Sequence, residues 1–108
     1  MIDRAYFKFL ALTEASPQLL KISRDALALL DVIASCADHE PLAVTEAMTL
    51  AHIASPATIH RKLDELVAAG LVTHEYRDNN RRTKYLMPTP KALSHYSFLA
   101  HCVREATR

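Results

Sequence analysis

The stretch Ser55–Lys84 decides the fold, and it reads SPATIHRKLDELVAAG, then LVTHEYR, then DNNRRTK. Ser55 followed by Pro56 is typical of a helix start, because the serine hydroxyl accepts from first-turn N–H groups and proline needs no N–H there. Gly70 is the only glycine in the chain. It stands where a helix ends in a left-handed residue, a conformation that glycine adopts without a Cβ clash. The sequence therefore predicts a helix over 55–69.

This predicted helix has one apolar and one polar face. The apolar positions recur at helical spacing and are Ile59, Leu63, Leu66 and Val67. The opposite face is small, polar and basic in its first half and acidic at Asp64 and Glu65. A helix that enters a DNA groove by its first two turns has this pattern, since its free N–H groups and dipole then face phosphate. A helix with an ordinary solvated face has it too, so this helix alone does not decide the function.

A basic hairpin follows the glycine. Segments 71–76 and 83–87 are rich in β-branched, aromatic and aliphatic residues, which is typical of strands. Between them Asp78–Asn80 favours a turn, because Asp and Asn tolerate positive φ. Over 77–84 four basic residues stand against one acidic residue. Like charges at a loop tip repel each other, and a polyanion relieves that repulsion, so the hairpin favours nucleic acid over a merely solubilising loop.

The region from Leu42 to Leu93 resembles the winged helix-turn-helix domain of the MarR family of bacterial transcription regulators. The run PLAVTEAMTLAHIASPATIHRKLDELVAAGLV is similar to its helix-turn-helix, and HEYRDNNRRTKYLMPTPKAL is similar to its wing and next helix. The resemblance implies a mainly α fold with a small β-hairpin wing, flanked by N- and C-terminal dimerisation helices.

The resemblance also implies which residues meet DNA. In the family the second helix of the pair enters the major groove, and a wing arginine, braced by an aspartate, reaches the minor groove. On the helix the corresponding residues are Ser55, Ala57, Thr58, His60 and Arg61. On the wing they are Asp78 as the brace, with Arg81 or Arg82. The basic character of the hairpin extends the expected DNA contacts to Arg77, Asn79, Asn80 and Lys84. Either Arg81 or Arg82 takes the minor-groove position. For base readout, Arg61 can pair with guanine, and Ala57 or Thr58 can touch a thymine methyl.

The flanking segments predict further helices and one short strand. We expect helices over 3–14, 23–38, 45–51 and 90–106, with Thr45 as the cap of the third and Thr89-Pro90 as the start of the last. We expect residues 42–44 to form a very short strand that pairs with the wing.

Both terminal helices carry wide apolar faces. A chain of 108 residues supports one domain, here an N-terminal arm over 1–22, a winged-helix core over 23–88 and a C-terminal helix over 89–108. So small a core covers only part of that apolar surface, and exposed apolar area of this size usually marks an interface. We expect a symmetric homodimer formed by Ile2, Tyr6, Phe9, Leu10, Tyr96, Leu99 and Val103. The alternative is a closed monomer in which both helices fold back.

The charge is uneven although the net charge is only +1. Residues 1–43 carry four Lys/Arg against six Asp/Glu, and residues 44–108 carry nine against six. The basic excess therefore lies in the half that contains the hairpin. No run is apolar enough to span a bilayer, and the N-terminus lacks the features of a signal peptide. We therefore expect a cytoplasmic protein without a membrane partner.

Other chemistry has little support in the sequence. A single glycine rules out a glycine-rich phosphate loop, and no Ser/His/Asp arrangement stands out, so we predict neither an enzyme nor a cofactor. Cys36 and Cys102 share no metal-type spacing, and His95 with Cys102 cannot make a tetrahedral site, so no metal is predicted. We expect both cysteines to be small buried residues, with a thiol switch as the minor alternative.

The sequence thus predicts a dimeric transcription regulator that binds double-stranded DNA. Two alternatives stay open: a winged helix used for protein contact, and a DNA-binding module of plasmid or phage replication. Many members of the MarR family sense small anionic aromatic compounds. This chain is shorter than the usual member, and its sequence identifies no effector.

Overall fold

The computed structural model describes residues 4–14, 22–77 and 79–108, and the fold is mainly α with one β-hairpin, as predicted. Its elements are α1 (Arg4–Glu14), α2 (Arg24–Cys36), α3 (Val44–Ala47), α4 (Pro56–Ala68), β1 (Val72–Arg77), β2 (Asn80–Pro88) and α5 (Pro90–Ala106). The chain divides into two compact units. We call Ile22–Ala92 the hairpin unit, and α1 together with Leu93–Arg108 the terminal unit.

The core of the hairpin unit is formed where α2 packs against α4 and where both helices meet the sheet. Helix α2 begins at the N-cap Ser23, whose hydroxyl accepts from the backbone N–H of Ala26 at 3.3 Å. The fully buried large side chains of this unit are Leu29, Leu30, Ile33, Ile59, Leu66, Leu71 and Leu86. Their burial removes aliphatic area from water on three elements at once, which is the main favourable contribution to folding.

Helix α4 has the start and the end that the sequence predicts. The Ser55 hydroxyl accepts from the backbone N–H of Thr58 at 3.4 Å, with Pro56 in the first turn. At the other end Gly70 has a φ of +74°. The N–H of Leu71 donates to the carbonyl of Leu66 and that of Gly70 to the carbonyl of Val67, both at 3.0 Å. This pair of bonds is the glycine-terminated helix end that satisfies the last carbonyls.

Helix α3 is shorter than predicted and begins one residue earlier. The cap position belongs to Ala43 and not to Thr45, because the backbone N–H of Ala43 donates to the Glu46 carboxylate at 3.0 Å. Thr49 then closes a tight turn on the carbonyl of Glu46, through its N–H at 3.0 Å and its hydroxyl at 2.6 Å. These local bonds end the helix at Ala47, whereas the prediction extended it to residue 51.

The predicted short strand before α3 is a single antiparallel bridge. Ala43 pairs with Tyr85 of β2, and the N–H of Leu86 donates to the carbonyl of Leu42 at 2.8 Å. This bridge ties the start of α3 to the hairpin.

The hairpin closes more tightly than predicted. Arg77 pairs with Asn80, and Asn79 between them has a φ of +61°. Asparagine tolerates this left-handed conformation, which allows so short a turn. The prediction starts the second strand at residue 83, whereas β2 begins at Asn80, a residue that the prediction places in the turn.

The basic residues of β2 lie in a bulge. Glu75 pairs with Tyr85, and Arg77 with Asn80, so four residues of β2 (81–84) face the single residue Tyr76 of β1. Such a bulge interrupts the ladder and redirects the side chains that it carries. Arg81, Arg82 and Lys84 are thus fixed to a bulged strand and do not sit on a free loop tip.

The start of helix α5 is hydrogen-bonded to the C-terminal end of α4. The Thr89 hydroxyl accepts from the N–H of Ala92 at 3.3 Å, which caps α5, and donates to the carbonyl of Gly70 at 2.6 Å. The Lys91 ammonium donates to the carbonyl of Ala69 at 2.9 Å. These contacts satisfy carbonyls at the negative end of the α4 dipole, where a cation is favourable.

Replacing Gly70 with alanine is expected to lower the free energy of unfolding by about 1 kcal/mol, because a left-handed φ strains a residue that carries a Cβ. A Cβ built at Gly70 meets no atom within 4 Å, so the loss reflects backbone conformation and not overlap. Gly70→Asn is the matched control and is expected to lose less, since asparagine enters this region more readily. Urea unfolding measures both variants, and an alanine variant as stable as the asparagine variant would contradict the expectation.

Candidate nucleic-acid interface

Three side chains form a hydrogen-bonded row along the exposed side of α4. The Ser55 hydroxyl donates to the Thr58 hydroxyl at 3.1 Å. The Arg61 Nη2 donates to the same Thr58 oxygen at 3.1 Å. The row spans the first two turns, where positions three residues apart are neighbours on the surface. The structure thus brings together three of the five helix residues that the sequence singles out.

The other two predicted helix residues lie beside this row. Ala57 is exposed and small. The Nδ1 atom of His60 lies 3.4 Å from the Asp64 carboxylate, and both side chains are exposed, at 66% and 72%. An exposed pair one helical turn apart contributes little to stability. Its effect is to place a carboxylate next to the histidine on the same surface.

Glu65 does not belong to this surface, although the sequence places it on the acidic half of the polar face. Its Oε2 accepts from the Ser23 backbone N–H at 2.9 Å, and its Oε1 accepts from the Ser23 hydroxyl at 3.1 Å. The Lys62 ammonium lies 3.6 Å from Oε1. Glu65 therefore joins α4 to the start of α2. Ser23 is 42 residues away in sequence, and no local pattern indicates such a bond.

This arrangement lowers the pKa of Glu65. The Ser23 backbone N–H is the main cause, partial burial opposes it, and the Ser23 hydroxyl and the Lys62 ammonium lower the pKa further. Donors that bind the charged form favour it over the protonated form.

The hairpin presents its cations in two ways. Arg77 lies against β2, with its guanidinium carbon 5.9 Å from the centre of the Tyr85 ring and its Nη2 4.0 Å from the Met87 sulfur. Arg81, Arg82 and Lys84 are exposed on the bulge. A groove of about 230 Å³ lies beside them, lined by Val44, Thr45, Arg82, Thr83 and Lys84.

Among the remaining wing positions, Asn79 is exposed at the turn. The predicted brace Asp78 lies outside the described residues, as does the side chain of Asn80. The choice between Arg81 and Arg82 for the minor groove therefore stays a prediction.

The predicted dimerisation residues lie in the terminal unit. Tyr6 and Val103 are exposed at 58% and 49%, Leu10 is also exposed, and Phe9, Tyr96 and Leu99 are partly exposed. Ile2 lies outside the described residues. Two exposed apolar residues were not predicted, and they are Phe7 and Leu93. Phe7 packs edge to face against Tyr6 with ring centres 5.6 Å apart, which continues the apolar surface around α1.

An apolar pocket of about 240 Å³ lies within this unit, lined by Ala5, Tyr6, Phe9, Val103, Ala106 and Thr107. Cys102 is buried, as predicted, whereas Cys36 of α2 is partly exposed. Within the described residues, no helix has the length and apolar character needed to cross a membrane.

The two joined helices α3 and α4, followed by a paired hairpin, define a winged helix-turn-helix. Comparison with solved structures gives the same fold. The chain is similar to RV1404 from Mycobacterium tuberculosis, at 18% identity and a TM-score of 0.65, over 95% of this chain and 63% of that one. It is similar to a MarR protein from Peptoclostridium difficile, at 19% identity and a TM-score of 0.57, over 95% and 61%. It is also similar to Staphylococcus aureus MarR in complex with salicylate and kanamycin, at 27% identity and a TM-score of 0.58, over 94% and 65%.

The particular fold is therefore that of a MarR-like winged helix. The chain spans between 61% and 65% of the length of these three structures. No protein-family model matches the sequence. No curated protein matches it either.

Glu65→Gln is expected to lower the free energy of unfolding by about 1 kcal/mol at neutral pH, because an amide oxygen can satisfy only one of the two Ser23 donors. Folding lowers the pKa of Glu65, so the ionised carboxylate stabilises the folded protein fully when the pH is above the ordinary pKa of 4.5. This stabilisation is lost as the pH falls through the lowered pKa of the folded protein. The two proteins should therefore converge in stability in strong acid. Urea unfolding across this pH range measures the effect.

The control is Asp64→Asn, which removes the neighbouring carboxylate from an exposed pair and should change stability little at neutral pH. A constant difference between wild type and Glu65→Gln at every pH would show that the charge of Glu65 plays no part.

Proposed function

We propose that this chain is a DNA-binding transcription regulator that reads duplex DNA with α4 and the hairpin. The observation that carries the proposal is the hydrogen-bonded row of Ser55, Thr58 and Arg61 on the exposed side of α4. It lies on the second helix of a helix-turn-helix, in a fold shared with MarR proteins. The chain acts by binding and not as an enzyme.

Helix α4 enters the major groove by its first two turns. Arg61 pairs with guanine, whose major-groove edge offers two acceptors to a guanidinium. Of the two acidic residues of α4, Asp64 stays beside the row of Ser55, Thr58 and Arg61, whereas Glu65 is held by Ser23. Asp64 lies beyond Arg61 toward the C-terminal end of α4. The Asp64 carboxylate therefore limits how deeply α4 enters the groove. It does not face the bases that the first two turns of α4 contact.

The hairpin holds the DNA backbone and reaches the minor groove. Arg81, Arg82 and Lys84 are exposed on the bulge of β2, where strand pairing on both sides restricts their backbone. Cations held in this way neutralise phosphates and release counterions, so they supply affinity that depends on salt and not on sequence. The Tyr85 ring supports Arg77 from one side, which orients its guanidinium without neutralising it.

Two copies form the working regulator. The exposed apolar residues of α1 and α5 supply the contact surface, among them Tyr6, Phe7 and Val103. A symmetric dimer then reads paired half-sites about one helical turn (~34 Å) or a multiple apart. No effector is part of this proposal.

The two alternative functions predict different results in DNA selection and in footprinting. A winged helix used for protein contact would retain no sequence from a random DNA pool. A replication module would retain one, but its footprint would fall at an origin and not at a promoter.

Replacing both Arg81 and Arg82 with alanine is expected to weaken binding to every DNA sequence and to flatten the dependence of affinity on salt, because phosphate contacts are lost. Arg61→Ala is expected instead to relax the preference at one base position, by roughly 1–3 kcal/mol. Selection from a random pool at two salt concentrations, followed by titration of selected and random duplexes, measures both effects.

The two variants serve as controls for each other. If they changed specific and random binding in the same proportion, the division between base readout on α4 and backbone contact on the hairpin would be wrong.

Val103→Glu is expected to convert a dimer into a monomer, because it places a charge in the exposed apolar surface of α5. Light scattering at micromolar concentration should give the wild type twice the 12.1 kDa mass of one chain and the variant a single mass. Ser94→Glu is the matched control, since Ser94 is exposed on the opposite side of the same helix. A monomeric wild type would refute the dimer.

A further inference from the structure

We propose that Thr58 is a positioning residue, whose hydroxyl sets the direction of the Arg61 guanidinium before DNA arrives. This inference rests on the proposed function and refines it, because it gives Thr58 a role other than contact with a thymine methyl. It makes the specificity of Arg61 a property of three side chains and not of one.

Two of the bonds in this row converge on the hydroxyl oxygen of Thr58. The Ser55 hydroxyl accepts from the Thr58 backbone N–H at 3.4 Å, which fixes the serine at the helix start. The serine then donates to Thr58 Oγ1 at 3.1 Å, and Arg61 Nη2 donates to the same oxygen at 3.1 Å. A hydroxyl oxygen has two acceptor lone pairs, and both are used here. The hydroxyl of Thr58 is therefore committed to its two neighbours as an acceptor.

The partner of Arg61 on this face is a neutral group. The other two polar side chains in this turn have acidic partners, since His60 lies against Asp64 and Lys62 against Glu65. A carboxylate would hold the guanidinium as well, but it would also neutralise the charge and compete with DNA. A hydroxyl orients the group and leaves its charge intact. The remaining N–H donors of the guanidinium stay available for a bidentate contact.

Orientation matters because arginine is a long, exposed side chain. Holding it in one direction before binding reduces the rotamer freedom that is lost on binding. One exposed hydrogen bond is weak, so the expected effect is modest. It should appear in discrimination between sequences, where Arg61 acts, and not in overall affinity.

The first experiment needs no DNA. Thr58→Val keeps the shape and the methyl group but removes the hydroxyl, and Thr58→Ser keeps the hydroxyl but removes the methyl. In nitrogen-15 relaxation of the arginine side chains, the Arg61 Nε–H should be more mobile in Thr58→Val than in wild type and unchanged in Thr58→Ser. Equal mobility in wild type and Thr58→Val would overturn the proposal. Arg77, which lies on the hairpin, is the internal control.

The second experiment measures the ratio of affinities for the selected duplex and a random duplex. Thr58→Val is expected to reduce this ratio about three- to tenfold, as a fraction of the loss in Arg61→Ala, while Thr58→Ser retains it. In the Arg61→Ala background Thr58→Val should change the ratio less than about twofold, because it no longer has a group to position.

Three results of the affinity measurements would also overturn the inference. An equal loss in Thr58→Ser would assign the effect to the methyl group. An undiminished loss in the Arg61→Ala background would make Thr58 independent of Arg61. A uniform loss on selected and random DNA would make the hydroxyl a phosphate contact. If the wild type bound no DNA at all, the proposed function would be wrong. The relaxation experiment needs no DNA, so it would still show whether Thr58 orients Arg61, and the two failures can be distinguished.

Discussion

The placement of α4 depends on one carboxylate that accepts two hydrogen bonds from a single distant residue. Glu65 accepts from both the backbone N–H and the hydroxyl of Ser23, so the C-terminal half of α4 is held at the first turn of α2. The packed aliphatic side chains of the two helices hold them together, but apolar contact is not directional. The pair of bonds supplies direction, and it lies on the opposite half of α4 from the row formed by Ser55, Thr58 and Arg61. The half of α4 that is anchored to α2 is therefore separate from the half that we propose to contact DNA.

A second set of bonds joins the hairpin and α5 to the same helix. Thr89 and Lys91 reach the carbonyls of Gly70 and Ala69, and the N–H of Thr89 donates to the carbonyl of Leu71 at 3.0 Å. Both ends of the hairpin thus meet at the end of α4. Hydrogen bonds near the base of the sheet fix the bulge that carries the basic side chains relative to α4. The cations of the hairpin are presented by a bulge with strand pairing on both sides and not by a loose loop.

The sequence predicts the features that depend on neighbouring residues. The Ser-Pro start and the glycine end define α4, and Thr89-Pro90 defines the start of α5, because caps act within one helical turn. Pairings across the fold are not predictable in this way. The sequence places Glu65 with Asp64 as one acidic patch, whereas Ser23 removes Glu65 from that surface. It also places Asn80 in the turn and starts the second strand at residue 83, because the pairing of Arg77 with Asn80 depends on the positive φ of Asn79. The start of α3 differs for a related reason, since Glu46 binds the N–H of Ala43 and an alanine gives no capping signal.

The single glycine has a consequence for the unfolded chain as well. Glycine contributes more conformational freedom to an unfolded chain than any other residue, and this chain has one glycine in 108 residues together with five prolines. Its unfolded ensemble is correspondingly restricted, so folding has less backbone entropy to overcome. The smaller loss of backbone entropy matters more for a small protein, because a short chain buries a smaller fraction of its surface on folding than a long one. The scarcity of glycine thus contributes to stability from the unfolded side of the equilibrium, independently of any contact in the folded protein.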